Sequence, residues 1–118
     1  METKKYDLIE RTQEFAKKTR DFLGKLKTSI SNIEDIKQLI RSSGSVAANY
    51  IEANEALSKK DFYYRMKICR KEAKESILFL SLLDTNNNES LDSDRIGLIR
   101  EATELMKIFG SIVTRQNQ

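Results

Sequence analysis

Four segments of this chain carry apolar residues at alternating spacings of three and four, and no proline interrupts any of them. That period wraps a single apolar stripe along one side of an α-helix. In the first segment Leu8, Thr12, Phe15, Ala16, Thr19, Phe22, Leu23 and Leu26 predict a helix over roughly 4–27, with Gly24 weakening its end by up to about 1 kcal/mol. The second runs Ile33, Ile36, Leu39, Ile40, Ser43, Val46, Ala47, Tyr50, Ile51 and Leu57 over 32–57. It opens at a capping-box pattern, Ser31-Asn32-Ile33-Glu34, in which the serine takes a free backbone N–H and the glutamate reaches back. Ser58-Lys59-Lys60-Asp61 repeats that signature before the third helix, 59–84, whose stripe is Phe62, Met66, Cys69, Ala73, Ile77 and Leu80. A polar, turn-prone stretch from Asp84 to Ser90 follows, and Leu91, Leu98, Ala102, Leu105, Met106, Phe109, Ile112 and Val113 mark a fourth helix over 91–115.

Four helices with one stripe each and short connections bury those stripes together as an all-α, antiparallel up-down-up-down four-helix bundle. A length of 118 residues suits one domain with one core. The longest apolar run, Ile77 to Leu80, is far short of the roughly 20 residues that span a bilayer, so no membrane anchor is expected. The single cysteine and the charged start of the chain point to the cytoplasm.

Catalysis finds little support in the residues. The chain has no histidine, which removes the commonest general base, the nucleophile triads and most transition-metal sites. A carboxylate-bridged di-iron bundle needs Glu-x-x-His on the core side, and Glu72 and Glu75 fall outside the predicted stripe with no histidine following either. Cys69, inside a core stripe, reads as a packed thiol. No enzyme activity, cofactor, metal or small-molecule substrate is therefore expected.

Charge is more informative. The net charge is only +3, but residues 57 to 84 hold 7 basic and 4 acidic side chains, while 29 to 56 hold 2 and 4. Lys60, Lys67, Lys71 and Lys74 fall on one side of the third helix, Arg70 borders them, and Tyr63 and Tyr64 lie beside them. Cations for phosphates and rings for bases are what a nucleic-acid surface requires; a solvated face with intrahelical ion pairs has the same pattern. Near the end of that helix Leu78, Phe79 and Leu82, with Ile68 further back, lie off the core stripe. A second apolar edge suits contact with another subunit, or cover by a tilted helix and the adjacent loop. On the second helix Arg41, Ser45, Asn49 and Glu52 align on the predicted outer side, placed either to hydrogen-bond across an interface or to face water.

The stretch Arg41-Ser42-Ser43-Gly44-Ser45-Val46-Ala47-Ala48-Asn49-Tyr50-Ile51-Glu52-Ala53, followed by Ser58-Lys59-Lys60-Asp61-Phe62 and Lys71-Glu72-Ala73-Lys74-Glu75-Ser76, resembles the four-helix-bundle proteins encoded in bacterial 23S rRNA intervening sequences. Asn49, Glu52, Ser58, Lys59, Lys60, Asp61 and Phe62 match the family's motif, and Ala53 stands where many members have glycine. The resemblance implies a homopentamer. Through the related accessory proteins of diversity-generating retroelements it also implies a basic surface for RNA or DNA. Five copies of a chain carrying +3 would present about +15.

Overall fold

Each helix begins where a polar side chain accepts an otherwise unpaired backbone N–H. The computed structural model describes residues 7–117 and contains α1 (Leu8–Leu23), α2 (Ile30–Asn54), α3 (Lys59–Leu82), α4 (Glu89–Thr114) and a short 3-10 turn, Arg115–Asn117. Asp7 caps α1 through the Glu10 amide at 3.2 Å, Ser58 caps α3 through Asp61 at 3.0 Å, and Asn88 caps α4 through Leu91 at 3.0 Å. Residues 4–6 of the expected first helix lie outside the described residues.

The second cap is not the expected Ser31 box. Ser29 Oγ accepts from the Asn32 amide at 3.1 Å, so α2 starts two residues earlier. The reason is tertiary: Asn32 is buried, and its carboxamide donates to the carbonyls of Lys27 and Asp84 and accepts from the Asp84 amide. One side chain thus ties the α1–α2 connection to the α3–α4 loop, where Asn86 and Asn87 take the left-handed φ values of 55° and 60° that asparagine tolerates.

The architecture is the expected all-α four-helix bundle. α1 packs on α2, α2 on α3, α3 on α4, and α4 returns to α1, with the α1–α4 seam the slightest of the four. Phe15, Phe22, Leu39, Val46, Met66, Cys69, Leu80, Leu98, Leu105 and Phe109 are buried in one continuous core, and removing that apolar surface from water is the dominant stabilising contribution. The stripes of α1, α3 and α4 point inward as their spacing predicts, with Phe62, Ile77, Met106, Ile112 and Val113 half-buried at the rim.

The expected stripe of α2 holds at Leu39, Ser43, Val46 and Ala47, which are buried, and at Ile36 and Tyr50, which pack on the core, but its edge differs. Leu39, Ser42, Ser43, Val46 and Ala53 fill the interior, whereas Ile33, Ile40 and Ile51 lie at the exposed rim, and Leu57, past the helix end, is 99% exposed. Small side chains let the neighbouring backbones come close, so the larger isoleucines are turned outward. The close approach is visible at Ser42 Oγ and Ser76 Oγ, 2.9 Å apart, and at Cys69, whose thiol donates to the Val46 carbonyl at 3.7 Å. Glu72 requires a second correction. It is only 4% exposed, beside Ala73 at the edge of the core, not on an outer face.

Candidate nucleic-acid interface

α3 lies between α2 and α4, so its inward stripe is covered and one ridge is left to solvent. Lys60, Lys67, Arg70, Lys71 and Lys74 are all exposed on it. Four of them, Lys67, Arg70, Lys71 and Lys74, surround a shallow depression of about 390 Å³ completed by Glu75 and Leu78. Lys60 is two helical turns earlier on the ridge and outside the depression. The cations fan out to both flanks. Arg70 extends toward α4, where a Cβ built on Gly110 would meet its Cδ at 3.6 Å, while the Lys71 ammonium lies 3.8 Å from Glu72 Oε2 on the α2 side.

The two tyrosines differ. Tyr63 is half-buried, its ring edge-on to Phe62 with centroids 5.1 Å apart. Tyr64 is 58% exposed, with the Arg65 guanidinium 5.8 Å from its ring centroid, a cation–π distance. Arg65 is anchored by Asn49 Oδ1 at 3.0 Å.

Arg41 is exposed, and Ser45 and Asn49 are half-buried. They line the α2–α3 seam: Arg41 bonds Glu75 at 2.9 Å and Glu72 at 3.4 Å, and Asn49 donates to both the carbonyl and the hydroxyl of Ser45 while accepting from Arg65. The bonds of Arg41 to Glu72 and Glu75 and of Arg65 to Asn49 therefore cross the α2–α3 interface, while those between Asn49 and Ser45 stay within α2. Glu52 is exposed at the end of this row. Sequence reasoning missed Arg65 and Glu72 as the α3 members of the seam. Their spacing of seven, with Ser76 four further on, places them on one flank of the core stripe, and that line was a usable signal.

Of the apolar edge, Leu78 and Leu82 are 50% and 55% exposed, whereas Ile68 and Phe79 are half-buried, Phe79 packing against the core. Leu78 also lines the basic depression, so the lysine ridge and the apolar edge are one continuous surface. Ile96 of α4 is exposed as well, next to Arg95, whose guanidinium donates to the carbonyls of Leu80 and Leu83 at the end of α3.

Elsewhere, burial pushes the Cys69 thiol up to about 12, which keeps it protonated and unreactive at neutral pH. Among the described residues no group of His, Cys, Asp and Glu is arranged to hold a metal ion, and no helix is long and apolar enough to cross a membrane.

These features define a class: a small helical bundle whose third helix displays a basic ridge ending in an apolar edge. More particularly, the chain matches the 23S rRNA-intervening sequence protein family over residues 4–111, and it belongs to that family. It is also similar to a solved structure from Bacteroides thetaiotaomicron, a protein of unknown function from the S23 ribosomal protein family. The identity is 29%, the TM-score 0.73, and the alignment covers 89% of this chain and 96% of that one. No curated protein sequence matches the chain. Neither the family's description nor the neighbour's is that of an enzyme.

Proposed function

We propose that this protein is a non-catalytic, cytoplasmic homo-oligomer, pentameric as the family resemblance implies, that binds RNA or DNA, or a partner handling them, through the basic ridge of α3. The gathering of Lys67, Arg70, Lys71 and Lys74 about one open depression carries this reading. Each ammonium or guanidinium held near a phosphate releases condensed counterions, so a cluster favours binding where the same charges scattered would not. The family's name, which refers to ribosomal RNA, agrees with it. Self-association is supported by the exposed Leu78 and Leu82 beside the ridge. The same two leucines favour a second reading, a scaffold that contacts only other proteins and uses its lysines for solubility.

Fluorescence anisotropy with structured RNA at low salt separates the two. Binding that weakens steeply with added salt, and that the triple change of Lys67, Lys71 and Lys74 to Glu abolishes, is the expected result. Binding that survives the triple change removes the α3 ridge as the binding surface, and no binding at all refutes the nucleic-acid role.

A further inference from the structure

We infer that the ligand of the α3 ridge is the sugar-phosphate backbone of a double helix, contacted on both strands, not a single strand; the inference rests on the nucleic-acid reading of that ridge. Two observations carry it. The first is the layout of the cations. Surfaces that hold single strands are grooves that follow one backbone and interleave charge with stacking rings, but here the depression is shallow and the cations sit on a convex helix. Arg70 leans over α4 and its neighbour Lys71 toward α2, with Lys67 preceding and Lys74 following this pair along the helix. Charges that diverge across a ridge match two phosphate rows flanking it better than one row along it.

The second observation is the state of the rings. Among the described aromatic residues only Tyr64 is exposed. Arg65 approaches its ring and is itself fixed by Asn49, and Tyr63 is half-buried against Phe62. Base stacking worth about 1–3 kcal/mol per base is what secures a single strand, and this ridge has no free row of rings to supply it. Duplexes need none, since they are held through phosphates and helix shape.

The test uses the full chain and labelled probes of matched length: RNA and DNA duplexes of about 20 base pairs, and oligouridine and oligothymidine of the same length. The expected result is affinity at least about tenfold higher for a duplex than for either single strand, with a log–log salt slope near −3.6 for four phosphate contacts. The RNA and DNA duplex arms show which duplex is preferred, and a preference for either supports the inference. Tyr64→Ala should change duplex affinity by less than about twofold, and Lys67→Ala should lower the slope by about one. Single strands bound as tightly as duplexes, or a tenfold loss in Tyr64→Ala, overturn the duplex assignment but leave nucleic-acid binding standing. Failure of all four probes to bind overturns both.

Discussion

Asn32 shows how much one polar side chain can govern. It is buried, makes three hydrogen bonds to the backbones of Lys27 and Asp84, and joins two connections at the same end of the bundle. Asn32→Ala leaves those groups without partners in a water-poor site, and a loss of about 2 kcal/mol in urea denaturation is expected. Cys69 gives a pH prediction. Its thiol is raised from 9.0 to about 12 by burial, so above pH 9 the folded chain holds a proton that the unfolded chain gives up. Stability from this group is complete below about pH 9 and declines as pH rises toward about 12. A native thiol titration with a disulfide reagent at pH 8 should show almost no labelling, and rapid labelling there would contradict the buried placement. The cysteine's burial was legible from its place in the stripe. The role of Asn32 was not, because its partner Asp84 is 52 residues away along the chain.

At the scale of the element, α1 is where the 3.6-residue period read best, every expected stripe residue but Ala16 being buried, and the edge of α2 is where it misled. Large isoleucines dominated the pattern of α2, but the close contact at Ser42 and Ser76 set its edge. The seam of Arg41, Ser45, Asn49, Arg65 and Glu72 runs along the edge of that contact, where Arg41 stays half-exposed and Ser45 and Asn49 are half-buried. Gly97 in α4 offers a simple test of helix propensity, since an added Cβ there meets nothing within 4 Å. Gly97→Ala should stabilise the protein by about 0.5–1 kcal/mol, read as a higher thermal midpoint, because the helix no longer bears glycine's entropic cost. A lower midpoint would contradict the open surroundings of Gly97 on the α1–α4 groove.

Across the whole molecule the packing is uneven. α1 rests mainly on α2 and meets α4 through the Arg11–Glu101 pair at 2.7 Å, with the looser Lys25–Asp94 pair at 3.5 Å just past its end, beside an open groove. Self-association through the α3 edge is tested by Leu82→Lys, which should lower the mass seen by light scattering while leaving helical circular dichroism intact. A wild-type protein that scatters as a monomer would remove the proposal altogether. The four helices, the polar cap at Ser58 and the lysine line of α3 were all determined by the sequence, because helix period, capping and charge spacing act over a few neighbouring residues. The tertiary structure decided that Ser42 and Ala53, and not Ile40 and Ile51, complete the buried side of α2, that Ser29 and not Ser31 caps it, that Glu72 is covered, and that Lys74 and Leu78 share one surface. Those outcomes depend on how closely α2, α3 and α4 approach one another, and that closeness is set by contacts between residues far apart along the chain.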